Sequence, residues 1–339
     1  MRTMRRVIVR QDGIGVEVAD IPVPEGSEVL VRSVVVGVCG SDTHAAHGSH
    51  PFVPPPYFPG HEVVGVVEAV DAAMVGIRPG QRVTVEPFLP CWHCKMCISG
   101  RQNLCEKLQF FGCGYTQGGM ATYFTLPADR LHIVPDELDD HTAVLIEPLA
   151  TPVHAVRVAG DVAGKTVAIL GAGTIGLLVL AVCRAHGAAR IVVTDVVDSK
   201  RARAVALGAD AAVDAMDPNV VGSVRAALGE SADVVFDCVA TESTVTDAIA
   251  IADKGGTVVI VGVPAGKVTI PLPMIQDHQL RIQGSATYLP EDFAESIDIL
   301  RRGIVRAADI VTAIRPMELA AEAFALSASG HHIKVLVSI

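Results

Sequence analysis

Apolar positions in the first third of the chain fall in short valine-rich runs broken by glycine and proline. The runs 7–9, 29–36, 62–70 and 82–85 read as strands, because β-branched residues suit a pleated, half-buried surface. Segments 51–59 and 87–111 read as loops. Five prolines fall within 51–59, and each removes an amide donor that a helix or sheet interior needs. Near Val153 the texture changes. Valine-rich strands at 166–170, 190–194, 211–213, 233–237, 257–261 and 280–283 now alternate with alanine-rich helical stretches such as 175–186 and 200–207. That alternation predicts an α/β fold, a parallel sheet with helices on both faces. After Ser285 the pattern is mixed, with a helix over 291–302 and a closing strand over 334–339.

At 339 residues the chain is too long for one ordinary core and fits two domains. Half of it is hydrophobic, which predicts a well-buried globular protein. The formal charge is -10, with no run of Lys or Arg longer than a pair, so a phosphate backbone would be repelled. No apolar run reaches the roughly 20 residues that span a bilayer. Val7–Val9 is too short for the core of an export signal, which predicts a cytoplasmic protein. In a reducing compartment the eight cysteines point to metal before disulfides.

The expected strand 166–170 runs directly into Gly171-Ala172-Gly173-Thr174-Ile175-Gly176 and then an apolar helix. Glycines there allow a tight turn and a close backbone approach to a pyrophosphate, which the helix N-terminus attracts. Asp195 ends the next strand 19 residues after Gly176, where a carboxylate can bind adenosine ribose hydroxyls and repel a 2′-phosphate. The expected cofactor is therefore NAD, with NADP less favoured; Lys200 and Arg201 nearby weaken that preference slightly. A packing turn in a nucleotide-free domain is the bland alternative.

Cys91, Cys94, Cys97 and Cys105 follow the spacing C-x2-C-x2-C-x7-C. Four thiolates complete a tetrahedron without an open position, so the group reads as structural zinc, with an iron–sulfur cluster as competitor. His93 finds no vacancy there. A second set is dispersed: Cys39 within Gly37-Val38-Cys39-Gly40-Ser41-Asp42-Thr43-His44, then Gly60-His61-Glu62, then Glu147-Pro148. Singly, a buried thiol, a core histidine and a helix-end carboxylate would explain them.

Together these elements resemble the zinc-containing medium-chain dehydrogenases, and within them the sorbitol, threonine and butanediol dehydrogenase branch. The resemblance extends over essentially the whole chain. It implies a GroES-like β-barrel catalytic domain over 1–152 with a structural-zinc lobe at 87–111. A Rossmann domain over 153–284 and a return to the barrel over 285–339 would follow. It implies two Zn2+ per chain, one held by Cys39 and His61 with Glu147 as a ligand or as the holder of the zinc-bound water, and one by the four lobe cysteines. Glu62 would be the adjacent carboxylate that can enter the coordination sphere, and Asp42 the group orienting the histidine. Ser41 would take the hydroxyl proton and His44 pass it towards solvent. Gly171, Gly173, Thr174, Ile175, Gly176, Asp195, Lys200 and Val263 would hold the cofactor.

The implied reaction moves a hydride from a secondary alcohol of a vicinal diol or short polyol to NAD, giving a ketone or ketose. Ala45 stands where sorbitol dehydrogenases carry tyrosine, and Ser285-Ala286-Thr287-Tyr288 lacks their arginine, which moves the reading away from long polyols. Phe52, Phe111, Tyr115 and Tyr288 are candidates to line the pocket or to pack the core. The competing readings are an L-threonine-type amino alcohol dehydrogenase and a non-catalytic NAD-binding structural or sensing protein. The expected assembly is a homodimer or homotetramer, without nucleic acid or membrane partners.

Overall fold

The computed structural model describes residues 2–46, 48, 53–70 and 76–339, with the backbone alone at position 44. The chain divides into two compact units, Met1–Pro148 with Leu289–Ile339, and Leu149–Tyr288.

The first unit is built on a seven-stranded sheet. Its order is Val311–Pro316, Lys334–Ser338, Glu28–Val38, Glu62–Ala69, Arg82–Val85 and Leu131–Ile133, with Tyr123–Pro127 also paired to Glu28–Val38. The tail joins this sheet because Lys334–Ser338 pairs antiparallel with Glu28–Val38, Val335 opposite Val38. Along Glu28–Val38 buried and half-buried positions alternate, and the last four residues are buried on both faces. Val29, Val31, Val36, Val63, Val67, Phe111 and Phe124 fill the core between these strands. Each buried side chain of this size contributes roughly 1.5–3 kcal/mol. A hairpin of Thr3–Arg10 and Gly13–Asp20 lies outside this sheet. Its second strand, whose burial alternates only between exposed and half-buried, leaves no apolar run to read in the sequence.

Segment 87–111 is more regular than a plain loop. Phe88–Leu89 pairs with Gln109–Phe110 and closes its base, while a short helix, Lys95–Ile98, and a 3-10 turn, Gln102–Leu104, shape its interior. The prolines exclude long elements and still permit these short ones.

The second unit is a six-stranded, wholly parallel sheet in the order Ala211–Asp214, Arg190–Asp195, Thr166–Leu170, Ala232–Asp237, Ala252–Ile260 and Arg281–Gly284. Thr166–Leu170 is buried throughout, as a central parallel strand covered on both faces must be. Strand order reverses between Thr166–Leu170 and Ala232–Asp237, the switch point at whose carboxyl ends ligands bind in such sheets. Among the described residues no helix is long and apolar enough to cross a membrane.

Candidate active site and metal centres

Cys39 follows directly on the strand Glu28–Val38, and the short helix Gly40–Ala46 starts beside it. The Asp42 carboxylate folds back so that Oδ2 accepts the Cys39 N–H at 3.1 Å, fixing the turn. Tyr57 donates its hydroxyl to the Asp42 carbonyl at 3.0 Å, tying the helix to the core. Oδ1 of Asp42 stands 4.0 Å from His61 Nδ1, and neither atom has a hydrogen-bond partner among the described residues. A nitrogen of the His61 ring lies within 4.8 Å of Cys39 Sγ. The ring edge meets Phe110 at 5.4 Å between ring centroids.

Cys39 Sγ, a His61 nitrogen and a Glu62 carboxylate oxygen all lie within 4.8 Å of one another. Burial pushes the Asp42 carboxyl up to about 6, against the pull of the neighbouring imidazole. Burial disfavours a protonated His61, yet Asp42, Cys39 and Glu147 together hold its pKa well above the usual imidazole value. A site so rich in buried anionic and lone-pair donors suits a cation, and soft thiolate with imidazole suits zinc.

Glu147, buried in the first turn of the helix Ile146–Ala159, lies outside this tight group, although its charge acts on His61. Ser41 is half-buried one residue before Asp42. His44 lies in the same helix, and its side chain falls outside the described residues, as does Phe52. Ala45, Phe111 and Tyr288 are fully buried, and Phe111 packs against Phe124 at 4.9 Å. Tyr115 packs half-buried against the same core.

Lys334 was not legible as a site residue, and it is the principal addition. Its buried ammonium donates to both Glu62 oxygens at 2.6 and 2.7 Å and to the Val38 carbonyl at 3.1 Å. A lone lysine heading an apolar strand was the available signal. Cys113 is a further neighbour: burial pushes its thiol up to about 12, with His61 opposing that rise and Asp42 and Cys39 adding to it.

The four lobe cysteines also converge within 4.8 Å of one another. Their Sγ separations are 3.5 Å for Cys94–Cys97, and 4.0 Å for both Cys91–Cys97 and Cys94–Cys105. Thiolates about 2.3 Å from one zinc at tetrahedral angles stand about 3.8 Å apart, so the set fits. Backbone amides of Cys91 and Lys107 donate to Cys105 Sγ at 3.2 and 3.3 Å. Amides of Cys97 and Glu106 draw the Cys94 thiol down to about 6, whereas burial and the neighbouring sulfurs push Cys97 up to about 12. The amides thus favour thiolate, and the last proton is one a cation would displace. His93 is exposed and bonds the Cys91 carbonyl.

In the parallel-sheet unit, Gly171 has φ of 97°, and a Cβ on Gly176 would lie 1.8 Å from the Gly171 carbonyl oxygen. Turn and packing therefore demand glycine at both. Gly173 is different: its φ is -72° and an added Cβ would meet nothing. The open space it leaves precedes the twelve-residue helix Thr174–Ala185, where a pyrophosphate would fit. Asp195 takes the Ala172 and Val197 amides, both at 2.8 Å, so its carboxylate also organises this turn. Arg201 bonds the Asp195 carbonyl and faces Asp198 and Asp214 at 3.3 and 3.4 Å. It is not an uncommitted cation for a 2′-phosphate. Lys200 is half-buried, and Val263 is exposed beyond the strand Ala252–Ile260.

Residues 25–136 match the alcohol dehydrogenase GroES-like domain, and residues 174–302 match the zinc-binding dehydrogenase domain. The Aspergillus clavatus protein named "Probable D-xylulose reductase A" is 34% identical over 337 residues, covering 95% of this chain and 93% of that protein. The chain belongs to the zinc-containing medium-chain alcohol and polyol dehydrogenases. A structure from Sinorhizobium meliloti 1021, described as a zinc-binding dehydrogenase bound to NADP, is 34% identical with a TM-score of 0.93 and full coverage of both chains. The 2R,3R-butanediol dehydrogenase of Bacillus subtilis is 28% identical, with a TM-score of 0.90 and 99% of each chain covered. The expected GroES-like and Rossmann-type architecture holds, and the chain is a zinc-dependent alcohol or polyol dehydrogenase.

Proposed function

We propose that the enzyme oxidises a secondary hydroxyl of a vicinal diol or short polyol to a ketone or ketose with NAD, at the Cys39–His61 centre. The convergence of Cys39, His61 and Glu62 donor atoms within 4.8 Å carries this reading. Relatives named for xylulose reduction and for butanediol dehydrogenation support the substrate class.

In this reading Cys39 and His61 would hold the catalytic zinc, with Glu147 as a ligand or holder of its bound water and Glu62 as the carboxylate at the same centre, and the lobe cysteines would hold a second, closed site. Zinc supplies a Lewis acid that lowers the pKa of the substrate hydroxyl. Ser41 accepts the hydroxyl proton and His44 passes it on towards solvent. Asp42, 4.0 Å from His61 Nδ1, would orient the His61 ring. Gly171, Gly173 and the N-terminal turn at Thr174, Ile175 and Gly176 cradle the cofactor pyrophosphate, with Lys200 and Val263 beside the dinucleotide. Asp195 would accept hydrogen bonds from the adenosine ribose hydroxyls, and a bound nicotinamide would supply the hydride acceptor. The commitment of Arg201 to Asp198 and Asp214 supports NAD. NADP is the second reading, favoured by its presence in the Sinorhizobium relative. A cytoplasmic homodimer or homotetramer completes the proposal.

Nicotinamide absorbance across vicinal diols, C4–C6 polyols and threonine, each with NAD and with NADP, tests it. Turnover of a diol or short polyol with NAD is expected. Turnover confined to threonine would move the assignment to an amino alcohol, and no turnover on any of them would contradict it.

A further inference from the structure

Asp237 ends the strand Ala232–Asp237 at the switch point of the parallel sheet, opposite Leu170 on one side and Ile260 on the other. It is fully buried. Its Oδ1 accepts the Val239 and Ala240 amides, both at 2.9 Å, and its Oδ2 accepts the Thr244 hydroxyl at 2.9 Å. The two amide bonds curl the chain so tightly that Ala240, with φ of 61°, takes the left-handed backbone that favours glycine. The Asp237 carbonyl meanwhile accepts the Val261 and Gly262 amides at 2.9 and 3.0 Å, and the Cys238 amide donates to the Leu170 carbonyl at 2.9 Å. Asp237 and its turn thus tie together the ends of three neighbouring strands.

Val239 is what this arrangement sets in place. A Cβ on Gly171 would lie 2.7 Å from Val239 Cγ2, and a Cβ on Gly262 would lie 2.7 Å from the Val239 carbonyl carbon. Val239 therefore stands between the glycine turn at 171–176 and the turn after Ala252–Ile260, against both, while 43% of it stays exposed. Sheets of this kind take the two halves of a dinucleotide on either side of the switch point. With Asp195 on the adenosine side, the half that Ala232–Asp237 begins takes the nicotinamide. We infer that Asp237 is a positioning residue for the cofactor, whose carboxylate holds 238–240 in the left-handed turn and so sets Val239 as a wall of the crevice on the nicotinamide side. This rests on the cofactor lying at the 171–176 turn. Without the carboxylate the two amides lose their acceptor, Ala240 relaxes out of the left-handed region, and Val239 leaves its place over Gly171.

The test uses the full-length enzyme and the change in reduced-nicotinamide fluorescence on binding. Wild type is titrated with NADH and with NADPH, and the tighter of the two is used throughout. Asp237→Ala should weaken binding about 10- to 100-fold, the scale of a lost hydrogen bond to a charged group. The KM for the cofactor should rise with it, while kcat at saturating cofactor and the KM for the alcohol hold. Asp237→Asn keeps an oxygen for the two amides and presents its NH2 to Thr244, whose hydroxyl can donate to the Thr241 carbonyl instead. That variant should bind as wild type does. Adding Ala240→Gly to Asp237→Ala should recover part of the lost affinity, because glycine holds a positive φ without strain.

Unchanged binding in Asp237→Ala overturns the inference. So does a loss that Asp237→Asn does not avoid and Ala240→Gly does not reduce, since that marks general distortion of the sheet. A fall in kcat with the cofactor KM unchanged overturns it as well. If Asp237→Ala does not fold, Asp237→Ser replaces it with the same expected and contradicting results. Gly173→Leu separates the two layers by placing a side chain in the open space before Thr174–Ala185. If that variant binds the nucleotide as wild type does, the cofactor lies elsewhere and the site assignment falls together with this inference. If it abolishes binding while Asp237→Ala changes nothing, the inference alone falls.

Discussion

Gly37 lies opposite Glu62 in the antiparallel pairing of their strands, and the Glu62 carboxylate occupies the space a side chain at Gly37 would fill. Gly37 has no left-handed φ, so its backbone does not require glycine. The requirement is room. Gly37→Ala would drive a methyl group into a carboxylate that Lys334 holds in place, and overpacking of this kind costs about 1–3 kcal/mol. A lower melting temperature and reduced kcat are expected. A variant with wild-type melting and turnover would show that the cradle is not needed.

Cys97→Ser acts on the closed site. Closed thiolate sites contribute folding free energy, with apparent zinc binding on the order of 10 kcal/mol in small zinc domains. Losing one of four converging ligands should unsettle 87–111, whose own regular structure is two strands of two residues, one helical turn and a 3-10 turn. Lower thermal stability and loss of about one zinc per chain are expected. Unchanged melting and metal content would contradict a structural role.

Asp195→Ala addresses the cofactor. Losing a charged hydrogen bond costs roughly 1.5–3 kcal/mol, or about ten- to more than a hundredfold in affinity. The KM for NAD should rise, and the efficiency ratio of NAD to NADP should fall. Because Arg201 is held by Asp198 and Asp214, the gain for NADP depends on Lys200. Kinetics with both cofactors decide it: a wild type that prefers NADP, or a ratio that does not fall, contradicts the assignment.

Asp210 gives the parallel-sheet unit a defined pH response. Burial pushes its carboxyl up, but the Ile191 amide at 2.7 Å and the ion pair with Arg184 outweigh that and bring it below the ordinary value. A depressed folded-state pKa adds stability that is present above the unfolded value, about 3.9, and is lost as pH falls through the folded one. Asp210→Asn should be less stable by about 0.5–1 kcal/mol at neutral pH, modest because a third of the side chain is exposed. Melting curves should show that gap constant from pH 8 to 5 and closing only below about pH 4. A gap that closes between pH 8 and 5 would contradict it.

What the sequence discloses follows the range of each interaction. Thr166–Gly176 was readable because a strand buried on both faces is a continuous apolar run and the glycine turn is contiguous with it. The lobe was readable because its four ligands fall within fifteen residues. The helices Val220–Leu228 and Glu242–Ile251 were less visible, since alanine, threonine and serine blur their apolar stripe. The Lys334–Glu62 pair was hidden: 272 residues separate its partners, and their meeting depends on the register of three strands. Cys39 and His61 could be paired only through resemblance, because spacing alone says nothing about the turn that Asp42 fixes.

Two metal centres are proposed in one chain, one open at Cys39 and His61 and one closed at Cys91, Cys94, Cys97 and Cys105. Metal quantification per chain in wild type and in Cys39→Ser tests this most directly. Two zinc ions are expected in the wild type and one in the variant, which should keep its fold and lose its activity. Iron in either protein, a single zinc in fully active wild type, or two zinc ions retained by Cys39→Ser would contradict it.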